Sequence, residues 1–256
     1  MSRSRAETLL ASAIGLQLLE LVADSAATPS GDELDALLAQ LRFHYSRHLP
    51  DYDDYVAELK GRADELEPVA RWLAASAPRW WSDLDRQEQI WAGRAPVAPA
   101  PDRLSVELRR MHDEAARPRH ALWTSTRTSA SLSPWLDDPE RPDVVHLWRL
   151  RVSLGARVAE IHSPQDWSAL AHRYPDGLSG FVFTGLKHRP PTAQRLDPDW
   201  TKVAEDWDGI HLSVGGWLTA EDVMYEANGG RTELRGWGME STLWLRWSFD
   251  SAEAIG

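Results

Sequence analysis

The chain has 256 residues, with 28 lysines and arginines against 39 aspartates and glutamates, and a formal net charge of -11. It contains no cysteine, which excludes disulfides, thiolate metal sites, iron–sulfur clusters and cysteine nucleophiles. The acidic balance disfavours nucleic acid as a partner held by phosphate neutralisation. Hydrophobic residues make up 43% of the chain, enough to bury a core, and 14 residues are tryptophan.

The N-terminal segment has two arginines ahead of an apolar stretch at 9–16, as a secretory signal does. Polar side chains interrupt the stretch, and its apolar residues recur at helical spacing. We therefore expect a core helix at about 5–24, opened by a capping box of Ser4 and Glu7. No run of about 18 apolar residues occurs, so no membrane helix is expected, and a cytoplasmic location is the default.

Residues 1–92 are predicted to form a helical bundle. After the first helix, others are expected at about 32–47, 51–75 and 82–92. Pro68 lies within the third of these four and is a position where that helix would kink or split. The short loops between the helices favour an antiparallel arrangement.

Residues 93–102 contain three prolines separated by small residues, which favours an extended linker and a domain boundary. Residues 103–256 are predicted to form a second domain. The fold class is therefore α+β, an N-terminal helical bundle followed by a mainly antiparallel β-sheet domain with flanking helices. Helices of this domain are expected at about 103–116, 164–173 and 198–206, and strands at about 121–128, 144–154, 158–161, 180–184, 210–218 and 242–249.

Ten of the 14 tryptophans follow residue 122. Tryptophan is highly buried on average, so most of these rings are expected in the core. Trp123, Trp217 and Trp237 lie beside polar runs and are the candidates for a surface that stacks on a ligand.

Two histidines, His44 and His48, are four residues apart on a predicted helix and would share one face, as metal ligands on helices do. The glutamate that a zinc peptidase places between them is absent, and Arg47 is adjacent. Two surface histidines near a helix C-terminus explain the same pattern. No metal is expected, and a metal enzyme is the third interpretation of the chain.

Motifs of nucleotide-binding loops and hydrolase elbows do not occur in the sequence. The glycine pairs Gly215-Gly216 and Gly229-Gly230 are predicted to be turns or bulges. A Ser/His/Asp hydrolase is compatible with the composition, but no elbow marks its nucleophile.

Three predicted strands carry polar side chains that can form one site. The first bears Thr124, Ser125 and Thr126, a later apolar strand bears His211, and Glu240 precedes the last. A glutamate beside hydroxyls and aromatic rings suits the cleavage of NAD. It accepts a ribose hydroxyl and stabilises an oxocarbenium-like centre as nicotinamide leaves. The alternative is a strand edge rich in serine and threonine, a satisfied core histidine and a solvent-facing glutamate.

These residues resemble the ADP-ribosyltransferase-type folds, in which a first-strand motif precedes a late catalytic glutamate. Leu-Trp-Thr-Ser-Thr at 122–126 resembles either the His-Gly-Thr-type or the Ser-Thr-Ser motif, and Glu240 takes the place of the late glutamate. Thr124 stands where one branch has histidine, and Gly238 where another has a second glutamate. The resemblance covers about 120–249. It implies NAD as the substrate, Glu240 and His211 as catalytic residues, and an NAD pocket formed by Trp123, Thr124, Ser125, Thr126, Trp217 and Trp237.

Two functions follow from these patterns. The first is an NAD-using ADP-ribosyltransferase or NAD glycohydrolase, of the kind found among bacterial toxins and defence proteins. Its helical module would recognise a macromolecular acceptor or regulate access. The alternative is a non-enzymatic binding module of the immunity or antitoxin type. Its acidic, tryptophan-rich surface would bind a basic protein.

Overall fold

A computed structural model describes residues 4–25, 28–44, 52–93, 95–104, 106, 108, 118, 121–126, 146–176, 196–227, 230–237 and 239–255. The α-helices in these ranges are α1 (Arg5–Ala11), α2 (Ala13–Ala23), α3 (Gly31–His44), α4 (Tyr52–Gly61), α5 (Ala63–Ser76), α6 (Pro164–Arg173), α7 (Trp200–Asp206) and α8 (Val214–Ala220). The strands are β1 (Gln89–Gly93), β2 (Leu122–Thr126), β3 (His146–Val152), β4 (Val158–Ile161), β5 (Gly209–Leu212), β6 (Met224–Ala227), β7 (Gly230–Glu233), β8 (Ser241–Trp244) and β9 (Phe249–Ile255). Short 3-10 helices lie at Pro78–Trp81 and Pro101–Arg103.

The first predicted helix is present as two, α1 and α2, bent by 102° at Ser12. The capping box of Ser4 and Glu7 opens α1 as predicted. Ser12 ends α1 and caps α2, because its hydroxyl accepts the N–H of Gly15 and donates to the carbonyl of Leu218 in α8. Within the described ranges, no single helix combines the length and apolarity needed to cross a membrane.

The third predicted helix is also two, but it breaks at Arg62 and not at Pro68, which lies inside α5. The Arg62 guanidinium binds Glu20 of α2 at 2.7 Å and Glu65 at 3.2 Å, which fixes the turn between α4 and α5. The helix expected at about 82–92 is wrong. Its C-terminal half is the strand β1, because pairing with β2 and β3 overrides the local helical spacing.

In the part of the chain that the structure describes, seven strands form one sheet in the order β4-β5-β8-β2-β1-β3-β9, and β6 and β7 form a separate hairpin. The pair β4–β5 is parallel, and the other pairs are antiparallel. The predicted α+β class with a mainly antiparallel sheet is confirmed. The strand β1, which precedes the predicted linker, lies inside this sheet between β2 and β3.

The strand expected at about 210–218 ends at Leu212, and α8 follows. Ser213 caps α8 by accepting the N–H of Gly216 at 3.0 Å. The pair Gly215-Gly216 forms the first turn of α8 and not a turn between strands. A Cβ at Gly215 would lie 2.3 Å from the Trp81 ring, and one at Gly216 would lie 2.1 Å from the Ile161 carbonyl oxygen. Both glycines therefore serve close packing.

Other predicted elements have mixed outcomes. The last predicted strand, about 242–249, is present in its first half as β8, and β9 was not predicted, while β4 and α6 have the predicted bounds. The strand expected at about 180–184 and most of the helix expected at about 103–116 lie outside the described residues. So do residues 228–229 of the second glycine turn, although β6 and β7 pair on either side of it.

The sheet separates a larger hydrophobic core from a smaller one. Ile210 and Leu243 join the larger core, which also contains buried side chains of α1 to α5. Leu122 and Trp244 join the smaller core on the opposite face. The larger core therefore combines residues from both sides of the predicted linker, and it brings the helical layer against the sheet.

Candidate functional site

A cavity of about 350 Å³ lies where the helical layer meets one edge of the sheet. Because β8 is antiparallel to both β2 and β5, it begins at the edge where these two strands end. This topology brings side chains that are far apart in sequence to the same edge. The cavity is lined by Asp35, Leu38 and Arg79 from the helical layer and by Thr126, His211 and Glu240 from the sheet, among others.

Glu240 immediately precedes β8, and its side chain is only 7% exposed although it lines the cavity. The Thr126 backbone N–H donates to Oε2 at 2.8 Å, and the Thr126 hydroxyl donates to Oε1 at 2.8 Å. His211 Nε2 lies 3.1 Å from Oε1. A carboxylate offers about four acceptor positions, so Oε2, which accepts one hydrogen bond from Thr126, can accept a second. Glu240 is thus a fixed acceptor and not a solvent-facing surface residue.

Glu160 lies on the other side of the His211 ring. The parallel pairing of β4 and β5 places Glu160 beside His211, and Oε2 of Glu160 is 2.5 Å from Nδ1. Each ring nitrogen therefore faces a carboxylate oxygen, an arrangement that suits an imidazolium because only that form donates from both nitrogens. Burial lowers the pKa of His211, but the hydrogen bonds and charges of Glu160 and Glu240 outweigh it and raise the pKa to about 9. His211 is therefore positively charged at neutral pH.

Comparisons with known proteins found no match that would assign a function to these residues. No family model, no curated protein and no solved structure matches the chain. The functional interpretation therefore rests on the side chains themselves.

Gln89 of β1 connects Thr126 and Thr124 through hydrogen bonds. Its amide nitrogen donates to the Thr126 hydroxyl at 2.9 Å, and its oxygen accepts from the Thr124 hydroxyl at 2.5 Å. The Trp244 indole N–H donates to the Thr124 hydroxyl at 2.8 Å. Thr124, predicted as an NAD contact, is therefore a buried member of this network, while Thr126 is its member at the cavity.

The remaining predicted NAD contacts do not line the cavity. Ser125 is fully buried, and Trp217 and Trp237 are 2% and 1% exposed within the larger core. Trp123 is half-buried and packs its ring edge-on against Trp237, with centroids 5.1 Å apart. Alternation along β2 directs Trp123 and Ser125 to the face opposite Thr126. Of the predicted pocket, Thr126 is the residue that meets the cavity together with Glu240 and His211.

The side-chain atoms of Asp83, Glu160 and His162 that could bind a metal ion lie within 4.8 Å of one another. His162 Nε2 is hydrogen-bonded to Asp83 at 3.0 Å, and Glu160 pairs with His211, so these contacts account for the proximity. We interpret the group as a cluster of hydrogen-bonded side chains. Neither the His44 side chain nor His48 lies in the described part of the chain.

The sequence interpretation missed Glu160, Gln89 and the helical wall of the cavity. One signal for Glu160 was present, because it is a charged residue inside a short strand of otherwise apolar residues. A buried charge requires a partner, but the sequence does not identify which strand supplies it.

Proposed function

We propose that the chain cleaves the N-glycosidic bond of NAD in this cavity, as an ADP-ribosyltransferase or NAD glycohydrolase, with Glu240 as the catalytic carboxylate. The observation that supports this most is the placement of Glu240. It is held by Thr126 and His211 on the cavity wall, with an acceptor position left on Oε2. A ribose hydroxyl is the kind of donor that such an oxygen can fix.

The charges of the site favour the transition state of this reaction. Two carboxylates, Glu160 and Glu240, and one imidazolium, His211, leave one net negative charge in a largely buried cluster. Preorganised negative charge in a water-poor site stabilises a developing cation, and the ribosyl centre becomes an oxocarbenium-like cation as the bond breaks.

The proposed reaction proceeds in two parts. The bond between the ribose C1′ and the nicotinamide nitrogen breaks, and its electron pair goes to the ring, which becomes neutral. Water or a nucleophilic group of an acceptor molecule then attacks C1′, and its proton passes to solvent. Glu240 holds a ribose hydroxyl throughout and forms no covalent bond in this scheme.

The size and lining of the cavity suit one end of the dinucleotide. Its volume of about 350 Å³ is at the small end of ligand pockets, which span about 300–1,000 Å³. Leu38, Val214 and Met239 offer apolar surface for the nicotinamide ring in the same cavity. Because α3 supplies Leu38, the helical layer is part of the proposed site, in addition to any role in acceptor recognition.

The alternative of a protein-binding module finds less support. It requires exposed tryptophans, and every tryptophan in the described ranges is buried or half-buried. The enzyme interpretation is therefore the one we carry forward.

Nicotinamide release from NAD tests the proposal. The wild-type protein is expected to release nicotinamide, and Glu240→Gln to lower the rate by about 100-fold or more, since a neutral amide cannot stabilise the cation. Glu253→Gln is the matched control, because this glutamate is exposed on β9 and pairs with Arg149. Thermal unfolding of both variants checks that they fold. Wild-type activity that persists in Glu240→Gln would refute the assignment, as would no release at millimolar NAD.

A further inference from the structure

We propose that Glu160 is a positioning residue, which holds His211 as an imidazolium that donates to Glu240 and so keeps the Glu240 carboxylate oriented at the cavity. The catalytic consequence of this inference rests on the proposed function. The contact itself does not, and it can be measured separately.

The geometry of Glu160 is fixed on two sides. Its Oε2 is 2.5 Å from Nδ1 of His211, and its Oε1 accepts the backbone N–H of Leu84 at 3.2 Å. The parallel register of β4 and β5 places the backbones of Glu160 and His211 side by side. The carboxylate is thus anchored by the segment that follows the 3-10 helix at Pro78–Trp81, and it has little freedom to leave the histidine.

The protonation state of His211 follows from its two partners. A neutral imidazole has one N–H, so one ring nitrogen would turn a lone pair toward a carboxylate. If that nitrogen were Nε2, the lone pair would face Oε1 of Glu240 and repel it. The imidazolium has an N–H on each ring nitrogen, so it donates to both Glu160 and Glu240 and satisfies both contacts.

Other charged groups surround this chain of three residues. Asp83 and His162 lie beside Glu160, and Asp35 and Arg79 form an ion pair of 2.8 Å on the helical wall of the cavity. Within the described residues, the titratable or charged groups that contact His211 or line its cavity are Glu160 from β4, Glu240 before β8, Asp35 from α3, and Arg79, Asp83 and Asp85 from the segment between α5 and β1, while His162 lies beside Glu160. Among them, Glu160 is the group with a hydrogen bond to Nδ1.

The variant Glu160→Gln tests the proposal, because it keeps the size of the side chain and an acceptor oxygen but removes the charge. We expect the pKa of His211 to fall by about 1–3 units from its wild-type value, as loss of an adjacent opposite charge requires. An NMR titration of the His211 ring measures this without any substrate. If deprotonation of His211 disorients Glu240, nicotinamide release should fall at alkaline pH, and in Glu160→Gln this fall should occur at lower pH by the same interval. A residue with a merely structural role would lower activity without moving this limb.

Asp83→Asn is the matched control. It removes a carboxylate beside Glu160 whose partner is His162, so the titration of His211 should change little. If Glu160→Gln fails to fold, Glu160→Asp replaces it. Its shorter side chain lengthens the contact with Nδ1, and the pKa of His211 must again fall.

Two outcomes overturn the inference. One is a titration of His211 that matches the wild type in the Glu160 variant. The other is an equal shift in Asp83→Asn, which would make the effect one of general charge. If the wild-type protein releases no nicotinamide, the proposed function fails, while the titration still decides whether Glu160 controls His211.

Discussion

Thr126 and Glu240, 114 positions apart in sequence, are joined by two hydrogen bonds of 2.8 Å, one from the backbone N–H and one from the hydroxyl. The pair connects the end of β2 to the start of β8 at the edge where the cavity opens. Because the backbone donor cannot be removed by substitution of the side chain, the contribution of the hydroxyl can be isolated.

The first prediction concerns that hydroxyl. Thr126→Val keeps the shape of the side chain and the backbone hydrogen bond, but it leaves Oε1 of Glu240 and the amide of Gln89 without this partner. We expect the free energy of unfolding to fall by about 1–3 kcal/mol, since a buried donor or acceptor left without a hydrogen-bond partner costs that much. If the proposed function holds, nicotinamide release should fall by about 10-fold as Glu240 loses its orientation.

Urea unfolding measures the stability change, and steady-state kinetics the rate. Thr201→Val is the control, because this threonine is exposed on α7. Equal stability of the Thr126 variant and the control would contradict the assigned hydrogen bonds.

The second prediction is a dependence of stability on pH. The pKa of His211 is raised to about 9 in the folded protein, against about 6.5 in the unfolded chain. A raised pKa contributes stability that is fully present below the unfolded value and is lost as the pH rises through the folded value. The contribution of His211 should therefore decline between about pH 6.5 and pH 9. The total lost is at most about 3 kcal/mol.

Urea unfolding at pH 6.5 and pH 9.5 checks this in the wild type and in His211→Gln. Other groups titrate in both proteins, so the difference between their two pH responses isolates the histidine. A wild-type response no larger than that of the variant would show that His211 is not held as an imidazolium.

The third prediction concerns the first turn of α8. Gly216→Ala would place a Cβ 2.1 Å from the Ile161 carbonyl oxygen, which belongs to the backbone and cannot rotate away. We expect a destabilisation of about 1–3 kcal/mol or more, as overpacking in a close-packed interior produces. Gly155→Ala is the control, because a Cβ added there would meet no atom within 4 Å.

Thermal unfolding ranks the two glycine variants. If Gly216→Ala unfolds at the same temperature as the wild type, α8 does not pack on the end of β4. The test bears on the site as well, since Ser213 and Val214 at the start of α8 line the cavity.

Local signals in the sequence predicted some elements well. The Ser-Pro start of α6 and the short, β-branched-rich run of β4 predicted the bounds of these elements, because caps and short apolar runs act within a few residues. The strand β1 and the helix α8 were missed. β1 is a strand because it pairs with β2 and β3. The apolar run at the start of α8 is compatible with a strand as well as with a helix, so its pattern does not distinguish them.

The candidate site was predicted in part for the same reason. Glu240, His211 and Thr126 were identified by residue type, and the topology of β2, β5 and β8 brings them together. Glu160 depends on the register of the parallel pair β4–β5, which no local pattern specifies. The sequence also did not predict that Trp217 and Trp237 are buried, because a tryptophan beside polar residues can lie on either face of its element.

The position of β1 between β2 and β3 has a consequence for how this protein can be divided. A fragment beginning at residue 103 would lack an interior strand. The edges of β2 and β3 that pair with β1 would then expose unpaired backbone N–H and C=O groups to solvent. Such a fragment is expected to aggregate, whereas one beginning before Gln89 retains every strand of the seven-stranded sheet.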